Sequence, residues 1–179
     1  MKLSTRRLIL RPLALSDSSA LYALGSREEV AGLAGFPRYK SLAEARRHVR
    51  RTLAASRGPG LKRLSLAVVL KSNGEFIGGV SLRWPHDGVG ELGYLIAPAH
   101  WGRGYAPEAA RKLADLAFSR LGAHRVQATC WVKNPRSARV LEKIGMRREG
   151  RLRGYLKRGR AVRDEFVWGM TRADWRTAK

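Results

Sequence analysis

The stretch APAHWGRGYAPEAAR, residues 97–111, decides the reading of this chain. A proline-broken apolar run passes into glycines at positions 102 and 104 and then straight into helix-forming residues. A turn built this way aims several backbone N–H groups at one point, and the helix behind it adds the positive end of its dipole. The expected product is a seat for an anion. A plain structural turn would need only one glycine. A dinucleotide fold fits poorly, because the third glycine of G-x-G-x-x-G is missing and no strand–helix–strand unit begins the chain.

On the C-terminal side of the turn, Tyr105 to Leu121 carries apolar residues at 106, 109, 110, 113, 116 and 117, which predicts the longest helix, packed on a sheet. Glu108 and Lys112, four apart, are expected to pair on its wet side. On the N-terminal side, RLSLAVVLK and EFIGGVSLRW flank Ser72, Asn73 and Gly74, a hairpin signal, and GELGYLIA follows a turn at Asp87 and Gly88. Nearer the start, LSTRRLILRPL reads as one strand with Leu8 and Leu10 on a common face, followed by a short capped helix in LSDSSALYALGS. Ser41 and Glu44 open another helix, with Leu42, Ala45, Val49 and Leu53 as its apolar stripe and arginines opposite. After the long helix come the strand HRVQATCWV, a short helix in NPRSARVLEKIG closed by Gly145, and the basic strands MRREGRLRGYL and RAVRDEFVWGM.

At 179 residues with 44% hydrophobic content, the chain is expected to form one domain around one core. No apolar run approaches the roughly 20 residues that span a bilayer, and KLSTRRLILRPL after Met1 alternates rather than forming an apolar signal core. A cytoplasmic protein without membrane contact is expected. Cys130 is the lone cysteine, and His48, His86, His100 and His124 are scattered, so neither metal nor redox chemistry is expected. The excess of 36 Lys and Arg over 14 Asp and Glu, a net charge of +22, concentrates phosphorylated ligands and polyanions near the surface. It fits association with a ribosome or RNA, or equally a merely solvated basic surface. No aromatic base-stacking motif of the RRM type accompanies it.

The turn and its flanks resemble the acyl-CoA-dependent N-acetyltransferase (GNAT) superfamily, whose signature [QR]-x-x-G-x-[GA] lies between a strand and a long helix. Gly104 and Ala106 fill its last two places, while Trp101 stands where Gln or Arg is usual. TRRLILRPL, ELGYLIAPAHWGRGYAPEAAR, NPRSARVLEKIGMRREGRLR and RDEFVWGMTRADW, in this order, are similar to the RimJ/RimL-like ribosomal-protein-alanine acetyltransferase branch, with Met146 in place of the usual Phe. The resemblance covers nearly the whole chain. It implies a single-domain α/β (α+β) fold, with a mixed, mostly antiparallel sheet of about seven strands and helices on both faces.

It also implies acetyl-CoA as co-substrate. Backbone groups of Trp101, Gly102, Arg103, Gly104, Tyr105 and Ala106 would meet the CoA pyrophosphate, with Arg103 adding charge from the side. Leu95 and Ile96 would lie along the pantetheine where two strands splay, and Asn134 matches the position that hydrogen-bonds that arm. Asn before Pro is also a good turn and helix cap.

Transfer to an amine needs a base, charge stabilisation at the carbonyl oxygen and a proton for the leaving thiolate. Glu91 is the candidate base, a carboxylate in an otherwise apolar and glycine strand; pairing with one of many arginines is its alternative. Many relatives carry an acidic Tyr seven residues after the Asn, where this chain has Leu141. Ser137 is the matching hydroxyl of the branch and could hold or protonate the sulfur; a first-turn serine bonded to backbone is its alternative. Cys130, alternating with Val126, Ala128 and Val132, reads as core. An enzyme acting on a protein N-terminus, one acting on a small amine such as an aminoglycoside, a polyamine or an amino acid, and a non-catalytic CoA-binding or RNA-associated module remain open, as does monomer or homodimer.

Overall fold

The computed structural model describes residues 1–34, 36–55, 62–158 and 161–177. Among these residues eight strands form one sheet in the order β1-β2-β3-β4-β5-β6-β8-β7. They are β1 (Leu3–Ser4), β2 (Leu8–Pro12), β3 (Arg63–Leu70), β4 (Phe76–His86), β5 (Val89–Ile96), β6 (Arg125–Trp131), β7 (Arg147–Arg158) and β8 (Ala161–Thr171). The count exceeds the expected seven because LSTRRLILRPL folds back on itself, Leu3 opposite Leu10 and Ser4 opposite Ile9, rather than running as one strand. Among the described residues only β5 and β6 pair in parallel; the other six pairings are antiparallel.

Side-chain alternation on β3 separates two cores. Leu64, Leu66, Val68 and Leu70 face one side, under α4 (Tyr105–Arg120), while Ala67 and Val69 face the other, under α1 (Ser18–Gly25) and α3 (Leu42–Ala55). The predicted stripe of α4 is the buried one: Ala109, Ala110, Leu113, Leu116 and Ala117 are at most 5% exposed. Helices α2 (Glu28–Ala34), α5 (Pro135–Lys143) and α6 (Arg172–Thr177) complete the fold; α2 and α6 were not anticipated from the sequence. The start of α3 follows expectation in part. Glu44 N–H donates to Ser41 Oγ at 3.3 Å, but the Glu44 carboxylate accepts from Lys40 N rather than from Ser41.

The feature that positions the site is the short pairing of β5 with β6. It holds only for Val89–Glu91 against Arg125–Gln127, after which the two strands part. On its other edge β5 stays paired with β4 as far as Ile96. Gly78 makes that possible at the irregular end of β4, since a Cβ there would stand 2.0 Å from the Leu95 carbonyl oxygen.

Candidate active site

Where β5 and β6 part, a cleft of about 710 Å³ opens, bordered by Leu92–Ile96 on one side and by Thr129, Cys130 and Trp131 on the other. At one end lie the glycine turn and α5; at the other lie α2, Tyr155 of β7 and Glu165 of β8.

Gly102 and Gly104 have φ of +76° and +78°, the left-handed region where a side chain is strained. At Gly102 an added Cβ would point into open space. Gly104 is the N-terminal cap of α4 and supplies no side-chain cap, so the first-turn N–H groups keep their donor capacity. The Trp101 indole N–H donates to the Ile96 carbonyl at 2.7 Å, locking the turn onto the end of β5. This explains how a tryptophan serves where Gln or Arg is usual. Tyr105 and Ala106 also border the cleft, whereas Arg103 is exposed and lies outside its wall. The Arg103 carbonyl accepts from Arg7 Nη1 at 2.9 Å instead.

Glu108 does not stand on the wet side with Lys112. Its carboxylate accepts from Thr5 Oγ1 at 2.6 Å, Arg7 N at 2.8 Å and Arg7 Nε at 2.7 Å, so the segment between β1 and β2 is tied to the first turn of α4. Burial alone would raise its pKa; these hydrogen bonds and the guanidinium outweigh burial and hold it below the usual glutamate value. Arg7 also lies 4.5 Å from the Tyr105 ring centroid, bracing the glycine turn from behind.

Glu91 borders the cleft from β5, but it is not an isolated carboxylate. Its cross-strand neighbour Arg83 donates from Nη2 at 2.6 Å, the pairing named above as the alternative. Ser137 and Asn134 both reach the cleft at the start of α5. Asn134 Oδ1 accepts the Ser137 N–H at 3.1 Å, so Asn134 is a helix cap whose Nδ2 is left to donate elsewhere.

The Ser137 hydroxyl lies 2.8 Å from Tyr94 Oη, which also reaches the Ser137 carbonyl at 3.0 Å. Tyr94 is given no role by the sequence reading, although it closes the ELGY stretch, Glu91 to Tyr94, in which β5 is similar to the branch. Burial raises its pKa, so it stays protonated and able to donate. Cys130 is buried as expected yet borders the cleft, with burial pushing its thiol up rather than activating it.

The far end holds a second overlooked group. Glu165 and Arg163 have side chains 5% and 13% exposed and are joined through Oε1, at 2.9 Å from Nη2 and 3.0 Å from Nε. Arg163 Nη1 also donates to the Gly32 carbonyl at 2.6 Å, fixing α2 over this end, and its guanidinium lies 5.3 Å from the Trp131 ring centroid. Among the described residues no group of three or more potential metal ligands occurs, and no helix is long and apolar enough to cross a membrane.

A one-domain α/β protein with its cleft at a splayed parallel pair, and a glycine turn at the mouth feeding a long helix, is built to hold a ligand with an anionic portion. Residues 7–147 match the acetyltransferase (GNAT) domain, and the chain belongs to that family. An uncharacterized N-acetyltransferase of Bacillus subtilis, YoaA, is 32% identical over 177 residues, 95% of this chain and 96% of its own. An acetyltransferase of the GNAT family from Bacillus anthracis has a solved structure with a TM-score of 0.87, at 26% identity, covering 97% of this chain and 99% of its own. Two further structures share the fold. Mycobacterium smegmatis RimJ in complex with CoA-disulfide has a TM-score of 0.79 at 24% identity, covering 92% of this chain and 81% of its own. Vibrio cholerae spermidine N-acetyltransferase in complex with CoA and spermine has a TM-score of 0.83 at 20% identity, covering 96% and 99%. The chain is accordingly an N-acetyltransferase, and acetyl-CoA is its co-substrate.

Proposed function

We propose that this enzyme acetylates the N-terminal α-amine of a protein or peptide, a ribosomal protein being the leading case, by direct transfer from acetyl-CoA. The observation that carries the choice of acceptor is the state of the far end of the cleft. Both carboxylates there, Glu91 and Glu165, are already held by arginines, Arg83 and Arg163. Among the described residues that line the cleft, no carboxylate is left without an arginine partner to bind a polycation such as a polyamine or aminoglycoside. Protonation points the same way. An α-amine with a pKa of about 7.7 to 8.0 gives up its proton at neutral pH for about 3.5 kcal/mol less than a lysine side chain near 10.4.

In this reading the N–H groups from Gly102 to Ala106 hold the pyrophosphate, the free edge of β5 at Leu95 and Ile96 holds the pantetheine, and Asn134 Nδ2 reaches the same arm. Bound there, acetyl-CoA supplies a thioester whose thiolate, from a thiol with a pKa of about 8.5, is a fair leaving group. Glu91 takes the amine proton, directly or through a water, while Arg83 fixes the direction of its carboxylate. Ser137 delivers a proton to the sulfur, and Tyr94 at 2.8 Å can replace it. The basic surface, which includes the outward arginines of α3 (Arg46, Arg47, Arg50 and Arg51, all exposed), would bring the enzyme to an acceptor carried on an RNA-rich particle.

The test compares kcat/KM for a peptide with a free N-terminal Ala or Ser, the same peptide blocked at its N-terminus but containing Lys, and spermidine. The free N-terminus is expected to be strongly preferred. Preference for either of the others overturns the acceptor assignment and leaves the acetyltransferase intact.

A further inference from the structure

We propose that the outward face of α3 is a docking surface for double-stranded RNA, which it grips by the phosphate backbone and without regard to sequence. The inference rests on the proposed recruitment of the enzyme to an RNA-rich particle, and names the surface and the form of RNA that achieve it. Helix α3 buries Ala45, Val49 and Thr52. Arg46, Arg47, Arg50 and Arg51 fall on the opposite arc and are all exposed. They form two rows, Arg46 with Arg50 and Arg47 with Arg51, with a rise of about 6 Å between the members of each.

An arginine-rich chain puts cations on many surfaces, so what distinguishes one surface is the placement of the acids. Along β7 several cations are engaged: Arg151 pairs with Asp164, Arg147 with Asp174, and the Arg148 guanidinium lies 4.8 Å from the Phe166 ring centroid. On α3 none of the four arginines has a carboxylate partner among the described residues. Between Glu29 and Glu75 the sequence holds a single acid, Glu44. Its carboxylate accepts from Lys40 N at 2.7 Å at the start of the helix. The uncompensated charge is felt inside the helix: burial lowers the pKa of His48, and Arg63 and Arg51 push it the same way.

Four guanidiniums held on one rigid helix suit a run of phosphates, each presenting a fork to the oxygens. A duplex fits this face better than other polyanions do. Single strands are held by stacking on aromatic rings. Besides the arginines, the exposed residues of α3 are Ala43, Ala54 and Ala55, and the nearby Tyr39 is half-buried, its ring centroid 5.8 Å from that of His48. A helix lying on a lipid surface needs an apolar face to insert. That of α3 is spent on the core, where Val49 packs with Ala67 and Val69. Double-stranded RNA is recognised by shape and backbone contacts, which ask for fixed cations and no base readout. The placement is also productive. On β8, Phe166, Trp168 and Met170 pack into the core under α4, which leaves Arg163 and Glu165 on the face that α1 and α3 cover. Leu92, Tyr94 and Ile96 do the same on β5 and leave Glu91 there. RNA on α3 lies on the side of the sheet that carries both carboxylates of the cleft.

The whole protein, without acceptor or acetyl-CoA, is titrated onto a fluorescent RNA duplex of about 16 base pairs, the span of a compact duplex-binding domain. Anisotropy is followed at several salt concentrations, because the slope of log K against log salt reports the phosphates neutralised, about 0.9 for each on a duplex. The R46A/R47A/R50A/R51A variant is expected to bind roughly tenfold more weakly or worse, with a slope smaller by about 3. K2A/R6A/R120A/R176A removes the same charge from exposed cations elsewhere and should change affinity by no more than about threefold. An equal loss in the two variants would reduce the effect to the net charge and overturn the proposal. So would absence of duplex binding by wild type, or tighter binding to single-stranded RNA, duplex DNA, poly-glutamate or vesicles of phosphatidylserine and phosphatidylcholine. Circular dichroism confirms folding; if the α3 variant is unfolded, R47Q/R51Q takes its place, with the slope expected to fall by about 2. Because no acceptor is present, failure here leaves N-terminal acetylation standing, and failure of the peptide comparison leaves the docking surface standing.

Discussion

At the far end of the cleft Arg83 faces Glu91 and Arg163 faces Glu165, whereas along α5 Arg136, Arg139 and Lys143 have no carboxylate partner among the described residues. The chain has 36 Lys and Arg, so cations at both ends are no surprise; the difference lies in where the 14 acids were placed. Pairing turns a guanidinium into a structural brace, as Arg163 shows by joining Glu165, Gly32 and Trp131. Leaving it unpaired keeps its charge for a ligand. One end of the cleft is therefore shaped and nearly neutral, and the other is open to an anion.

The sharpest way to break this comparison is at the paired end. Glu91→Gln keeps the shape but not the basicity, so kcat is expected to fall roughly 10²-fold with acetyl-CoA affinity unchanged. Steady-state kinetics beside a binding titration decides it, and normal turnover would leave Glu91 as nothing more than Arg83's partner.

At the other end, Gly104→Val places a branched residue at φ +78°, in the turn proposed as the phosphate seat. Acetyl-CoA affinity should drop at least tenfold, about 1.4 kcal/mol. Calorimetry on the folded variant is the check, and unchanged affinity would remove the turn from the cofactor site.

Glu108 sharpens the comparison from behind the turn, because there an acid was spent on bracing the anion seat. Glu108→Gln exchanges charge-assisted hydrogen bonds for neutral ones and should cost about 1 kcal/mol of stability at pH 7. The folded-state pKa of Glu108 is depressed, so its contribution is present above the unfolded value, about 4.3, and is lost as pH falls through the folded value. Urea unfolding of wild type and variant should converge in that acidic window. The smallest effect is expected at Tyr94→Phe, a loss of about fivefold in kcat that is absent in a Ser137→Ala background, as coupled neighbours require. An equal loss in both backgrounds would separate the two hydroxyls.

How much of this was legible follows from the range of each interaction. The glycine turn and α4 were readable because backbone strain and a 3.6-residue stripe are written locally; Gly102, Gly104 and Ala109 to Ala117 stand where the pattern put them. Glu108 misled for the same reason. Lys112 is its natural partner on an isolated helix, and only the return of β2 brings Arg7 to it from 101 residues away. Tyr94 and Ser137 lie 43 residues apart and meet only because β5 and α5 flank one cleft. The Arg163–Glu165 pair sits in a stretch so rich in arginine that no single acid could be matched to a partner in advance. The insertion of β8 between β6 and β7, which turns that pair toward the cleft, is a matter of topology and leaves no local mark.

The parting of β5 from β6 beyond Glu91 has a thermodynamic corollary. A molecule that lies along the released edge of β5 binds the folded chain and has nothing to bind in the unfolded one. At 100 times its dissociation constant such a ligand adds about 2.7 kcal/mol to the free energy of unfolding. If CoA lies there as proposed, the melting temperature and the resistance to proteolysis of this enzyme are expected to rise with the concentration of CoA and acetyl-CoA.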